Sequence, residues 1–416
     1  MSEIEKFLFV TKGPFIRRTL NSYFTTPNSR MKKIMRANFI DRNWRLHNVQ
    51  RLHHNEAVCC FVPDYVFEQV IRDGSREERD KAIHILKLSE RLRSQRHFVS
   101  ATDPKRFGIG GHTERRRVVY DMHNIGDDNL LPGDPVRYED STDTGDSNID
   151  KCFNHTGSVY DFYNQIFSRN SMDGEGMAMY SSVHFDEDLD NAFWNGRQMT
   201  YGNGGGGFIK PGTLTDLIVV AHELTHGVTQ YESNLAYSGQ PGGLNESMSD
   251  VFAIMCDQWV NKQTVNDSHW LIGKDIMVRG GALRSMKSPG GAHPGDRQVS
   301  HVRDYREGMG PHQCSGIPNK AFYTACMKVG GNSYETIGKI WYIALKDRLS
   351  RLSQFQDAAN HTYTIAAELF GEDSNEQKAV ASGWSEVGVE ARKPTVEEII
   401  VERKKLLSKI DSRLGR

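Results

Sequence analysis

Apolar residues recur at helical spacing through the last third of the chain and predict a mainly helical region. The predicted helices span Tyr323–Val329, Thr336–Leu349, Gln354–Leu369 and Asn375–Val387. Glycine-containing segments at 330–332 and 371–373 predict the turns between them. Beyond Pro394, apolar positions at helical spacing predict a charged amphipathic helix over Thr395–Leu414. That helix packs on the body or binds a partner, and the pattern leaves both alternatives open.

The same pattern predicts a long helix near the start of the chain. A polar turn at 73–75 precedes the segment Arg76–Gln95. Its apolar positions follow a moderately amphipathic helical spacing. They are Ala82, Ile83, Ile85, Leu86, Leu88 and Leu92.

Two further helices are predicted in the middle of the chain. The apolar run 215–221 leads into the first, and Thr213 with Asp216 three residues later resembles a capping box. The second is expected over Asn245–Trp259, after a turn at Gln240–Gly243.

Candidate chemistry lies on these two helices. His222 and His226 are four residues apart, so they share one helical face and can reach one metal ion. Glu223 lies one position round the helix, where it can hold a metal-bound water. Catalytic zinc takes three protein ligands and keeps one position for water, and Glu246 is the natural third ligand. The sequence therefore predicts a zinc site of a peptide-bond hydrolase.

Two neighbouring positions refine this prediction. Asp250 is four residues after Glu246, so one carboxylate can bind zinc while the other holds the second ring nitrogen of a ligand histidine. Thr229 stands where the histidine-rich metzincin pattern needs glycine. The third ligand is therefore expected on a separate helix.

The region 118–389 resembles the thermolysin-like zinc metallopeptidases. Beyond the zinc motif, the matching stretches are Ser182–Phe185, Asn191–Gly196, Tyr201–Gly202, Leu283–Met286 and His312–Lys320. The resemblance implies an α+β fold, with a strand-rich N-terminal lobe joined by the zinc helix to a mostly helical lobe. The substrate cleft would lie between the lobes.

The resemblance also implies roles in catalysis. His222, His226 and Glu246 would bind zinc, and Glu223 would be the general base. Tyr237 and His312 would donate hydrogen bonds to the oxyanion of the tetrahedral intermediate. The implied orienting pairs are Asp250 with His222, Asn245 with His226, and Glu307 with His312.

Substrate binding is implied in the same way. Asn191 and the backbone of Ala192 would hold the substrate main chain as an extended strand, and Arg284 would bind its carbonyl beyond the scissile bond. Four apolar residues fall where the family builds the pocket for the residue after that bond, so a bulky hydrophobic occupant is expected. They are Phe208, Val219, Ile272 and Leu283.

One departure concerns calcium. Thermolysin binds a calcium pair near the zinc helix through acidic side chains, and calcium needs several hard oxygen ligands. Only one of the corresponding positions here is acidic. They are Ile218, Asp257, His269, Leu271 and Lys274. We expect one catalytic zinc and no calcium pair.

The leader resembles the short pro-segment of the protealysin-like subgroup, at Cys60–Val70 and the helix that follows. The predicted organisation is a basic extension at 1–50, a pro-segment at 51–110, a strand-rich lobe at 111–232, a helical lobe at 233–390 and the C-terminal helix at 391–416. Residues 1–50 contain ten Lys/Arg and three Asp/Glu, whereas 118–150 contain one arginine and nine acids. This asymmetry is compatible with an inhibitory leader docked on an acidic surface and equally with two independently solvated surfaces.

Composition limits the other possibilities. The net charge of −1 gives no general attraction to nucleic acid or membrane, and no apolar run approaches a membrane span. No secretory signal is visible, which predicts synthesis in the cytoplasm, with non-classical export as an option. Six cysteines show no C-x-x-C spacing. Cys59 or Cys60 could bind the zinc in a latent form, although a buried or free thiol is the alternative.

Together these features predict a zinc endopeptidase that cleaves polypeptides before bulky hydrophobic residues. It would be made as a latent, self-processed precursor whose own pro-segment inhibits it. The alternative is a catalytically silent, zinc-stabilised binding module that uses its leader or C-terminal helix. Retention of Glu223, Tyr237 and His312 favours the enzyme, because a binding module needs none of them.

Overall fold

Eight short strands form two sheets in the computed structural model, which describes residues 59–100, 114–393 and 395. The strands are β1 (Cys59–Cys60), β2 (Arg117–Asp121), β3 (Asp134–Tyr138), β4 (Met179–Val183), β5 (Ala192–Trp194), β6 (Met199–Tyr201), β7 (Leu271–Ile272) and β8 (Arg284–Ser285). The larger sheet has the order β1-β5-β6-β4-β2-β3. Its β2–β4 and β4–β6 pairs are parallel and the others antiparallel. Strands β7 and β8 form a separate antiparallel pair.

Ten α-helices surround this sheet and form the second lobe in the described part of the chain. They are α1 (Asp64–Asp73), α2 (Arg76–Ser100), α3 (Ser147–Phe167), α4 (Leu217–Tyr231), α5 (Gly239–Val260), α6 (Pro311–Cys314), α7 (Gly316–Val329), α8 (Ile337–Ile343), α9 (Phe355–Phe370) and α10 (Asn375–Glu386). The mixed α+β fold, with strands in the N-terminal lobe and helices in the C-terminal lobe, is confirmed. None of these helices is long and apolar enough to cross a bilayer. The predicted extension at 1–50 lies outside the described residues, as does the predicted C-terminal helix over Thr395–Leu414 apart from Thr395 itself.

Helix α4 is buried over most of its length. All eleven residues from Val219 to Thr229 are buried, because the helix is apolar on most of its faces and packs between α3 and α5. The hydroxyl of Thr225 meets Tyr163 Oη at 2.7 Å and donates to the Ala221 carbonyl at 2.7 Å. The charged residues on this helix make no comparable hydrogen bond within it, so their burial requires partners from other elements.

The predicted capping box of Thr213 with Asp216 at the start of α4 was wrong. The helix begins at Leu217 with Asp216 at the N-cap, and no side-chain capping bond is made there. The hydroxyl of Thr213 instead donates to the Lys210 carbonyl at 2.8 Å. The Asp216 carboxylate accepts from Lys151 Nζ at 3.0 Å, so it is used in tertiary contact.

The predicted start of α5 at Asn245 was also wrong, since the helix begins at Gly239. Its Pro-Gly-Gly sequence is typical of a turn, but in the structure the two glycines lie within the helix and allow α6 to pack closely against it. A Cβ atom on Gly242 would lie 2.8 Å from Pro311 Cγ, and one on Gly243 would lie 2.7 Å from Cys314 Sγ. Absence of side chains lets α6 approach the first turns of α5, which brings His312 towards the zinc helix.

The other predicted helices are present with changed ends, whereas α1, α3 and α6 were not predicted. Helix α7 starts seven residues before the predicted Tyr323. The predicted helix Thr336–Leu349 is divided into α8 and a π-helical turn at Ala344–Arg348. The leader forms α1, the predicted polar turn, and α2, which continues beyond the predicted Gln95.

The packing account of α5 predicts that Gly243→Ala destabilises the protein by about 1–3 kcal/mol, the cost of overpacking a close contact. Denaturant unfolding would measure this change. Gly310→Ala is the control, because a new Cβ there would meet no atom nearer than 3.7 Å. Equal stability of Gly243→Ala and the wild type would show that α6 does not depend on this glycine.

Candidate active site

Three buried side chains from α4 and α5 converge on one point. His222 Nε2 and His226 Nε2 lie 3.1 Å apart, and Glu246 oxygens lie 3.4 Å and 3.5 Å from these two nitrogens. A tetrahedral zinc ion with bonds of about 2.0–2.1 Å separates its ligand atoms by about 3.3 Å. These spacings, which run to Glu246 Oε2 from His222 and to Glu246 Oε1 from His226, therefore fit zinc bound by the three side chains. Among the described residues, no other group of three or more potential ligands converges in this way.

Each histidine has a polar side chain at its Nδ1 atom, and these are the two residues to which the sequence resemblance assigned an orienting role. His222 Nδ1 lies 2.9 Å from Asp250 Oδ1, and His226 Nδ1 lies 2.8 Å from Asn245 Oδ1. Asn245 is itself held by a hydrogen bond from its amide nitrogen to the Leu235 carbonyl at 2.9 Å. These contacts select the tautomer in which each Nε2 faces the metal position.

A charged network surrounds Asp250. Arg284 donates to both carboxylate oxygens at 3.0 Å and 2.8 Å, and Asn319 donates to Oδ2 at 2.9 Å. Burial alone would raise the pKa of Asp250, but the Arg284 charge and the His222 contact outweigh it and hold that pKa well below its usual range. For His222, burial would lower the pKa, whereas Asp250 and Glu246 raise it to about 9.

Glu223 differs from the other acids of the site. It is fully buried, and no side chain among the described residues hydrogen-bonds to either carboxylate oxygen. Burial raises the pKa of Glu223 well above its usual value, and the neighbouring Glu246 charge acts in the same direction, against smaller opposing effects that include the Trp194 backbone. A carboxylate that no side chain holds, beside a metal position, is suited to holding and deprotonating a water.

The two predicted oxyanion donors lie on the same side of the cluster. His312 Nε2 is 3.2 Å from Glu246 Oε2 and 2.7 Å from the Cys60 carbonyl oxygen. The Tyr237 hydroxyl donates to Glu246 Oε1. Both side chains are about 92% buried, with relative exposures of 8%. Burial lowers the pKa of His312.

The leader lies in the cleft as an added strand. β1 pairs antiparallel with β5, and the Phe61 N–H donates to the Ala192 carbonyl at 3.1 Å. Arg284 donates to the Phe61 carbonyl at 2.8 Å. The Asn191 side chain accepts from the Val62 N–H at 2.9 Å and donates to its carbonyl at 3.2 Å. The residues predicted to bind substrate main chain thus bind the leader.

The four predicted pocket residues lie on α4, on the β7–β8 hairpin and in the loop before α4. Val219 is one turn before His222 on α4, while Ile272 pairs with Arg284 across the β7–β8 hairpin. Leu283 is next to Arg284 on the same hairpin. Phe208, like the other three, is buried, and it meets Phe67 of α1 edge-to-face at 5.8 Å.

Two predicted contacts take a different form. Glu307 is exposed and is not among the residues that hydrogen-bond to His312 in the described chain, so this conformation gives its orienting role no support. Cys60 is buried and contributes its carbonyl, while its thiol is not part of the convergent ligand group.

Sequence reasoning missed two supporting residues. Asn319 fixes Asp250 and lies inside a stretch that matched the family, so its position there was an available signal. Asp190 is fully buried and accepts from the backbone N–H groups of Gly206, Phe208 and Ile209 at 2.8–3.1 Å. It precedes Asn191 directly, and the glycine run that it holds was visible in the sequence.

The site geometry predicts that Asn245→Ala lowers zinc affinity about 10–100-fold, because His226 loses the group that orients it. Competition with a chromophoric zinc chelator would measure the change. Asn261→Ala is the control, since Asn261 is an exposed asparagine at the end of the same helix. Unchanged affinity in Asn245→Ala would exclude the orienting role.

Family comparisons agree with this geometry. Residues 94–230 match the thermolysin metallopeptidase catalytic domain, and residues 233–389 match its alpha-helical domain. An extracellular metalloprotease of Pectobacterium carotovorum is 38% identical over 351 residues, which cover 81% of this chain and 98% of that protein. Protease PrtS of a Photorhabdus strain is 34% identical, with 80% and 92% covered.

A solved structure is similar over the same extent. The precursor of protealysin, a metalloproteinase from Serratia proteamaculans, superposes with a TM-score of 0.70 at 36% identity, covering 80% of this chain and 99% of that one. Because the match covers 99% of that precursor, the similarity extends beyond the catalytic domains to the leader. The chain therefore belongs to the thermolysin family of zinc metalloendopeptidases, in its protealysin-like group.

Proposed function

We propose that this zinc metallopeptidase cleaves polypeptides before bulky hydrophobic residues and is made as a precursor inhibited by its own leader. One observation carries the specificity. Phe61 is fully buried beside the zinc ligands, with its ring edge-on to His222 at a centroid distance of 5.2 Å. The leader thus places a large apolar side chain where the residue after the scissile bond would lie.

The residues of the site have complementary roles in this proposal. Zinc held by His222, His226 and Glu246 would polarise the substrate carbonyl and acidify a water. Glu223 takes the proton from that water and delivers it to the leaving nitrogen. Tyr237 and His312 donate to the oxyanion, and each such donor is typically worth about 2.7–4 kcal/mol.

Substrate main chain is held by strand addition. Asn191 and the Ala192 carbonyl present hydrogen-bonding groups along the edge of β5 that pairs with β1, and Arg284 reaches the next carbonyl. Such edge pairing recognises backbone and leaves specificity to the side-chain pockets. This arrangement favours unfolded or extended segments of polypeptides as substrates.

Inhibition by the leader is supported by occupancy and by charge. Every hydrogen bond proposed for the substrate main chain is made by the segment 60–62. The rest of the leader contacts both lobes through five polar side-chain pairs, of which the charged ones are individually weak at the surface. They are Glu68–Arg297, Glu78–Arg279, Lys81–Asp188, His84–Asp186 and Arg91–Asp128, at 3.1–3.4 Å.

The calcium pair of thermolysin is not expected in this enzyme. Asp257, the one acidic side chain among the five corresponding positions, lies 3.9 Å from the ring of His269. Burial raises the pKa of Asp257, which disfavours the charged form that calcium requires. Lys274 adds a positive charge near the same carboxylate.

The proposed place of action is outside the cell, after synthesis in the cytoplasm. The name of the Pectobacterium relative, an extracellular metalloprotease, supports action outside the cell.

Replacing the general base tests the proposed chemistry. We expect Glu223→Gln to lower hydrolysis of a peptide with phenylalanine after the scissile bond by about 10²–10⁴-fold, with zinc retained. Enzyme freed of its leader by limited proteolysis would be used, with zinc content measured alongside the rate. Glu335→Gln, an exposed glutamate, serves as the control. Full activity of Glu223→Gln would leave the binding-module alternative in place.

Weakening the leader tests the proposed latency. Phe67 is fully buried against Phe208, so Phe67→Ala removes a contact worth about 3–5 kcal/mol and loosens docking. The intact variant should hydrolyse an added peptide faster than the intact wild type, in a continuous assay. The partly exposed Phe370 provides the matched control, Phe370→Ala. Equal rates in all three proteins would argue against inhibition by the leader.

A further inference from the structure

We propose that the leader is itself a substrate in place, with Cys60–Phe61 as a self-cleavage bond, and that the cut precursor stays inhibited. This inference rests on the proposed peptidase function and adds a named site of processing. A bound segment can block a cleft in either chain direction. The direction and register of β1 therefore decide whether the leader binds as a cleavable substrate or only as an inhibitor.

The carbonyl side of the bond lies among the catalytic groups. The Cys60 oxygen accepts from His312 Nε2 at 2.7 Å, and the same nitrogen lies 3.2 Å from the zinc-binding Glu246. The carbonyl therefore occupies the place where a substrate oxygen would receive the oxyanion donor. The carbonyls of Phe61 and Val62 are held by Arg284 and Asn191 instead, which are outside the catalytic group.

The nitrogen side agrees with this register. The Phe61 N–H donates to the Ala192 carbonyl at 3.1 Å, so that carbonyl can hold the amine as it leaves. The side chain of Phe61 is fully buried beside His222, in the position expected for the residue after the scissile bond. Hydrolysis adds water oxygen to the Cys60 carbonyl carbon and breaks its bond to the Phe61 nitrogen. Glu223 carries the proton from water to that nitrogen.

The contacts of the leader predict what happens after the cut. Cleavage separates residues 1–60, whose described contacts with the body include the two-residue strand β1, the Cys60–His312 hydrogen bond and the buried Cys60 side chain. The anchors of the leader on both lobes lie after the bond: Phe61 beside His222, Val62 on Asn191, helix α1 on Phe208, and all five polar side-chain pairs. These anchors still cover the part of the cleft that would hold the residues after the scissile bond. The first cut therefore leaves the site covered.

The test is intact mass and N-terminal sequencing of the full-length protein incubated with zinc. The wild type should yield a species that begins at Phe61, in a fraction unaffected by dilution, because the bond lies in the molecule's own cleft. Glu223→Gln should yield none. Phe61→Ala should lower formation of the same terminus about tenfold or more, while Phe370→Ala leaves it unchanged. The isolated species should hydrolyse an added peptide no faster than the precursor.

Contrary outcomes are distinct. If the wild type never shows a terminus at residue 61, yet protease-treated enzyme hydrolyses the peptide, this inference is wrong and the proposed function stands. A terminus at residue 61 that forms equally in Glu223→Gln would assign the cut to another protease and also overturn it. If the species beginning at Phe61 is fully active, the retained leader is not an inhibitor.

Discussion

The buried carboxylate of Asp250 joins the parts of this molecule that must act together. It receives hydrogen bonds or close contacts from His222 on α4, Arg284 on β8 and Asn319 on α7, while it belongs to α5. A buried charge of this kind is costly unless its partners are all present, and removing one partner typically costs about 3–5 kcal/mol. The arrangement therefore constrains four elements at once. Because Arg284 also binds a carbonyl of the bound strand, the metal ligand and the substrate position share one support.

A second constraint comes from the edge of the sheet. Strand β5 has β6 on one side and the leader strand β1 on the other, and without β1 that second edge would present unpaired backbone groups that need partners. The leader supplies them in this structure. If a substrate binds as proposed, it would use the same hydrogen bonds, so the two occupants would exclude one another. Tethering would then favour the leader, since a covalently linked segment acts at a high effective concentration.

Surface charges also contribute to the attachment of the leader. The leader places Glu68 and Glu78 against arginines of the helical lobe, and Lys81 and Arg91 against acids of the strand-rich lobe. Individually such pairs are weak and screened by salt. Buried apolar anchors such as Phe61 and Phe67 supply the larger part of the attachment, and the ion pairs orient it.

The sequence by itself determined the metal chemistry and most helices, because both depend on spacing along one or two elements. His222 and His226 share a helical face at any position in a fold, and the apolar periods of α9 and α10 survive in almost unchanged bounds. Contacts between residues that are far apart in the sequence could be known only from the tertiary structure. It made the glycines of α5 a contact surface for α6, gave Asp190 and Asn319 their supporting roles, and left Glu307 exposed. It also set the register that places Cys60–Phe61 beside the catalytic groups, because β1 acquires its partners only when β5, α6 and the β7–β8 hairpin have packed around it.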